Sequence, residues 1–312
     1  MQVQSLSSSP VDNSLAPQQV ADYLHLGFLA INTPQIVEPE VSWCRGELMG
    51  LMQKSTGRAE GRYFDLVARE GGNEGTSPQI LSPSLYATDL RKLSCRKSAL
   101  AVAKQLLGPS ASFSGDQAIL KPRRSGGPTP WHQDEAFRDP GFDYNELSIW
   151  IALTDTTSEN GPMGYIPGSH LLGVLPHRLY ENSRDANTIE CYQGFDSGSA
   201  VVCPIPAGAM IVHHCRTVHG ASRNLSDSER FAHVFSYLTP PVKRRDLREF
   251  PWLEDLRKAS RQNRNSMLLR GGEFSELVRI LRSDRYADRH FISGFMRRRF
   301  KQLARLLKVS KD

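Results

Sequence analysis

A mainly β core flanked by helices is the fold class this sequence predicts, and three observations predict it. Between residues 111 and 239 the apolar runs shrink to about four to eight residues, separated by Gly, Pro, Asn and Asp, as in a sandwich or barrel of short strands. On both sides of that stretch the apolar spacing is helical. With 312 residues, 39% hydrophobic and 23% charged, the chain can bury one sizeable core with helices around it.

Residues 1–16 contain no Lys or Arg and no apolar run, so they read as a disordered leader and not as a secretory signal. Residues 17–312 read as a single domain: a helical N-terminal part (17–110), the β core (111–240) and a basic helical extension (241–312). Pro17 opens a helix over 17–26, followed by GFLAI as an extended segment. Residues 38–55 carry acids early and Lys54 late, which suits a helix dipole. A third helix over 96–107 stops at Gly108 and Pro109. The strands expected in the core are QAILK, WHQD, ELSIWIAL, MGYI, AVVCPI, AMIVHH and RFAHVFSYL, and the polar segment from Gly173 to Ser199 reads as an irregular lid.

No apolar run approaches the roughly 20 residues that cross a bilayer. The five cysteines are an odd number, widely spaced and without a CxxC pair, which excludes a disulfide scaffold and fits a cytoplasmic protein with small, buried thiols. Net charge is +6 overall, yet residues 241–312 hold 20 Lys and Arg against 9 Asp and Glu, while residues 1–240 hold 19 against 24. The basic character belongs to the tail, so nucleic acid is not expected as a partner of the core.

In the WHQD segment a strand would point His132 and Asp134 to one face, where an imidazole and a carboxylate can bind one metal ion. A third ligand must come from a later strand, and His213, His214 and His219 are available. Two histidines and one carboxylate make a facial triad that leaves three adjacent positions on Fe(II) open. Arg230 heads a strand whose one face is Arg230, Ala232, Val234 and Ser236, while Phe231, His233, Phe235 and Tyr237 form a packing face. A buried arginine there needs an anion, and a carboxylate is its best geometric match.

These segments together, KPRRSGGPTPWHQD (121–134), ELSIWIALTDTTSENGPMGYIPGSH (146–170) and HCRTVHGASRNLSDSER (214–230), resemble the phytanoyl-CoA dioxygenase family of Fe(II)- and 2-oxoglutarate-dependent oxygenases. The resemblance implies a double-stranded β-helix, the cupin-like jelly roll. It makes His132, Asp134 and His219 the iron ligands and Arg230 the residue that binds the distal carboxylate of 2-oxoglutarate. Trp150, Lys121 and Gln117 become further co-substrate contacts, although Ile119 interrupts the polar face of the last two. Many members carry Ser or Thr two residues after the last ligand; here it is Ala221. His214 is read as structural, and His170 as a hydrogen-bonding core residue in a turn shaped by Gly168.

Fe(II), 2-oxoglutarate and dioxygen are the implied cofactor and co-substrates, and hydroxylation of an unactivated C–H bond in a small-molecule, lipid or carrier-bound acyl substrate is the implied reaction. An intact Asp134 favours hydroxylation over halogenation; desaturation, cyclisation and epimerisation share the first hydrogen abstraction and stay open. Arg138 and Ser148 are the candidate substrate contacts, with Arg123 and Arg124 flanking the motif. The rival class is a non-catalytic jelly-roll binding module. In the tail, Ile292, Phe295, Met296, Phe300, Leu303, Leu306 and Leu307 form one helical stripe opposite a basic face. That helix is expected to pack on the core, with contact to a membrane surface or an acidic partner as the alternative.

Overall fold

The computed structural model describes residues 14–258 apart from 59, 67–76, 125–126 and 181–187. The chain divides into two units, Met1–Ser266 and Met267–Asp312, and all described residues lie in the first. The leader up to residue 13 and the basic tail helix, with its membrane or acidic-partner reading, lie outside the described residues.

Helix α1 (Pro17–Leu26) starts at its proline and ends at Gly27, whose φ of +84° is the left-handed cap that glycine adopts without cost. A Cβ at Gly27 would also sit 2.4 Å from His170 Nδ1, so the turn is specified twice. Strand β1 (Phe28–Ile31) and helix α2 (Glu40–Gln53) follow. Next come β2 (Tyr63–Asp65), β3 (Pro78–Leu81) and helix α3 (Cys95–Leu107), stopped at Gly108 as the sequence predicts. The core then runs β4 (Ser112–Lys121), β5 (Thr129–His132), β6 (Phe142–Asp143), β7 (Glu146–Ala152) and β8 (Met163–Tyr165). It continues with β9 (His177–Leu179), β10 (Ile189–Cys191), β11 (Val201–Cys203), β12 (Met210–His214), β13 (His219–Ala221), β14 (Arg230–Leu238) and β15 (Val242–Lys243). Residues 251–258 are helical again.

Two sheets carry the fold. The larger has the order β1-β12-β7-β14-β4-β3-β2 and the smaller β11-β8-β13-β5. From β4 to β14 the chain passes repeatedly from one sheet to the other, so each sheet interleaves early and late strands; this is the jelly roll. Alternation along β14 decides what fills each side. Phe231, Phe235 and Tyr237 pack with α2 and α3 residues such as Leu48 and Val102, whereas Ala232 and Val234 pack between the sheets with Trp150, Met163 and Tyr165. Each large side chain on the helix-facing side contributes about 1.5–3 kcal/mol by leaving water. All five cysteines are buried and free.

Two expectations need correction. The Gly173–Ser199 segment is not irregular: it contains β9 and β10, which pair antiparallel with Ile189 opposite Leu179, and Ile189 buries itself beside Ala136 and Trp252. The WHQD strand is also shorter than expected. It ends at His132, where its pairing with His219 on β13 runs out, and Asp134 opens a single 3-10 turn.

Candidate metal centre

Strand β5 lies at the edge of the smaller sheet, which is why Pro130 is tolerated inside it. Trp131 points away from the space between the sheets and lies over Gly164 and Gly220; a Cβ at Gly220 would come within 2.9 Å of Thr129 O. That close approach brings β5 against β13 and sets His132 opposite His219, ring centroids 4.2 Å apart. Each ligand histidine is oriented by the carbonyl two residues before it. His132 Nδ1 lies 2.8 Å from Pro130 O, and His219 Nδ1 lies 2.9 Å from Thr217 O. With Nδ1–H donated, the Nε2 lone pair of both rings faces inward, the tautomer a metal ligand needs.

Gln133 stays extended (φ −122°, ψ 133°), so His132 and Asp134 share a face although the strand has ended. Its buried side chain acts as a rivet: the amide donates to Gly173 O and Arg216 O and accepts from Leu175 N, while its backbone N–H donates to His177 Nε2. Asp134 Oδ1 then lies 3.8 Å from His132 Nε2 and 3.7 Å from His219 Nε2. The three ligand atoms fall within 4.8 Å of one another, and among the described residues this is the group able to hold a metal ion. Two imidazoles and one carboxylate fit ferrous iron, and three ligands leave the rest of its octahedron open.

Electrostatics agree with that fit. Burial alone would raise the Asp134 carboxyl, but His219, His213 and His132 outweigh it and hold it well below the usual carboxylate range. Burial lowers both histidines, which favours the neutral form that a cation needs.

Arg230 stands on the same inner face of the larger sheet. It is 1% exposed, its guanidinium carbon lies 5.2 Å over the Trp150 ring, and neither Nε nor Nη1 has a hydrogen-bond partner among the described residues. Burial pushes it down to about 9, with Tyr165 pulling the other way. A buried cation of this kind is costly until an anion meets it. Lys121 is its cross-strand neighbour, wholly buried, with Nζ donating to Gly127 O at 2.5 Å and Ser222 O at 2.9 Å. Burial, and then Arg230, lower Lys121 well below the lysine range.

Three expected contacts are engaged elsewhere. Gln117 shares the inner face with Lys121, and its amide donates to Gln79 across β3 and β4. Arg138 is held by both carboxylate oxygens of buried Glu146, the partner a guanidinium fork prefers. Ser148 donates its hydroxyl to Asp134 Oδ2 at 2.9 Å. Arg124 pairs with Asp227 at the surface. His214 accepts from Arg216 N at 3.0 Å and His170 bonds Leu24 O at 3.1 Å, structural roles in both cases. The sequence reading gave no role to Gln133, and it left His213 undistinguished among the three late histidines although its ring lies 4.3 Å from that of His219. Same-face alternation with Trp150 was the available signal for Ser148.

A family model described as Phytanoyl-CoA dioxygenase (PhyH) matches residues 25–232, a span that takes in the triad and Arg230. The chain belongs to the phytanoyl-CoA dioxygenase family. With it the chain joins the Fe(II)- and 2-oxoglutarate-dependent oxygenases, whose cofactor set the residues above fit. A protein of Stutzerimonas stutzeri named "Probable alpha-ketoglutarate-dependent hypophosphite dioxygenase" is 26% identical over 217 residues, 68% of this chain and 75% of that one. The solved structure of EvdO2 from Micromonospora carbonacea var. aurantiaca, complexed with 2-oxoglutarate, superposes with a TM-score of 0.65 at 30% identity, covering 77% of this chain and 97% of EvdO2. The epimerase SnoN from nogalamycin biosynthesis matches with a TM-score of 0.53 at 25% identity, over 71% and 82% of the two chains.

Proposed function

We propose that this phytanoyl-CoA dioxygenase family member hydroxylates an unactivated C–H bond of a small-molecule, lipid or carrier-bound substrate. The observation that carries the reading is a two-histidine, one-aspartate cluster with a buried, unsatisfied guanidinium on the facing sheet. His132, Asp134 and His219 hold the iron. Bound there, ferrous iron supplies the oxidative decarboxylation of 2-oxoglutarate by dioxygen and the oxidising power that removes a hydrogen from carbon.

The remaining work belongs to the chain. Arg230 takes the distal carboxylate of 2-oxoglutarate as a bidentate partner and so recovers the cost of its own burial. Trp150 packs against the guanidinium, and its indole N–H has no hydrogen-bond partner among the described residues. Lys121 uses two of its N–H groups on backbone carbonyls and adds positive potential beside Arg230. Tyr165, Ala232 and Val234 keep the wall apolar, which excludes water from the reacting carbon. The intact Asp134 supports hydroxylation over halogenation. Epimerisation is the second reading, supported by the likeness to SnoN, because it begins with the same hydrogen abstraction.

Succinate release under air, measured across candidate substrates, tests the proposal. Substrate-stimulated release that disappears in Asp134→Ala is the expected result; release by that variant at the wild-type rate would contradict it.

A further inference from the structure

Asp134 has two oxygens, and the protein treats them differently. Oδ1 faces the ligand nitrogens of His132 and His219 at 3.8 and 3.7 Å. Oδ2 faces the larger sheet, where Ser148 Oγ donates to it at 2.9 Å and His213 Nε2 lies 3.3 Å away. Ser148 and His213 are register partners on β7 and β12, so one cross-strand pair reaches across the roll to a single oxygen. His213 is only 2% exposed, and its Nε2 makes no hydrogen bond among the described residues, with Asp134 Oδ2, 3.3 Å away, the acceptor it faces. Since a carboxylate only accepts, a hydrogen on Nε2 would face Oδ2 and leave Nδ1 to accept from the Tyr165 hydroxyl 3.4 Å away. The ring is wedged between His219 and Tyr165, centroids 4.3 and 5.3 Å away, which fixes its aim.

We infer that His213 is a positioning residue which, with Ser148, holds Oδ2 of Asp134 away from the metal and makes Asp134 a one-oxygen ligand. The inference rests on the metal centre proposed above. Its chemical point is the count of open positions: a carboxylate that chelated through both oxygens would occupy a place needed by 2-oxoglutarate or dioxygen. His213 lies outside the group of three ligating residues, so it acts on the carboxylate and not on the ion. Partners that orient a ligand commonly change metal affinity by about 10- to 100-fold when removed.

Anaerobic titration with Co(II) in place of iron, followed by its d–d absorption, tests this without any turnover. His213→Phe is expected to lose about 10- to 100-fold in Co(II) affinity and to change the band shape as the carboxylate rotates. His213→Gln, which keeps an N–H in reach of Oδ2, is expected to restore both. Ser148→Ala removes the second donor with little change in volume and is expected to shift the band in the same direction, which keeps the test decisive should His213→Phe fail to fold. Wild-type affinity and band shape in His213→Phe, or a folded His213→Gln that restores neither, would overturn the role of His213 alone. Absence of any Co(II) band in the wild type, or a band retained in His132→Ala, would overturn the metal centre and this inference with it.

Discussion

Arg230 is the residue at which sequence and structure meet most directly. Its position at the head of an alternating strand put a guanidinium on the small-residue face, and the structure leaves that guanidinium buried with two N–H atoms unsatisfied. Replacing it by Met keeps volume and removes charge, so affinity for 2-oxoglutarate is expected to fall by roughly 30- to 5000-fold, the cost of about 2–5 kcal/mol for a buried charge pair. The 2-oxoglutarate dependence of succinate release reads this out; an unchanged KM would place the co-substrate elsewhere. Residues tied to the backbone pattern were legible in this way: the two-residue spacing from His132 to Asp134, and the alternation that aims Arg230 inward. Residues whose partner comes from another strand were not. Ser148, Arg138 and Gln117 bond Asp134, Glu146 and Gln79 through tertiary contacts that no local spacing encodes.

At the level of elements, the helices and most strands follow their local signals because those signals are strong: Pro17 at a helix start, Gly27 and Gly108 at helix ends, alternation along β14. The turn at Asp134 and the β9–β10 pair were hidden because tertiary packing sets them. The segment after β14 shows this most clearly. Arg248 donates to Glu135 Oε1 at 2.7 Å and to Phe142 O at 2.6 Å, and Trp252 donates to Ala136 O at 2.8 Å, so a stretch beyond the jelly roll clamps the turn that bears Asp134. Glu135 is 1% exposed and depends on that clamp. Arg248→Ala leaves its carboxylate with one fewer cation in a buried setting and is expected to cost about 3 kcal/mol. Urea denaturation would measure it, and a loss under about 0.5 kcal/mol, the range of an ordinary surface substitution, would show that the clamp is dispensable.

Across the whole molecule, two sheets come face to face, the His132, Asp134 and His219 cluster from the smaller and the buried Arg230 from the larger, with buried histidines packed around them. That packing predicts acid sensitivity. Burial pushes His177 down to about 4 and His214 down to about 3, whereas both bind protons near 6.5 in an unfolded chain. As pH falls through that window the unfolded state takes up protons first, so stability drops, by about 1.4 kcal/mol per unit for each histidine and by about 4 kcal/mol for the two together at about pH 5. Urea midpoints of the metal-free protein at about pH 7 and about pH 5 check this, and equal midpoints would refute it. The jelly roll was readable because interleaved short strands carry it, and the convergence of His132, Asp134 and His219 because an ordered set of motifs does. The most direct test of the central claim is anaerobic addition of Fe(II) and then 2-oxoglutarate, watched for the metal-to-ligand charge-transfer absorption of the chelated 2-oxo acid. The wild-type chain is expected to develop the band at one iron per chain and His132→Ala to develop none; a band of equal strength in His132→Ala, or none in the wild type, would contradict the account.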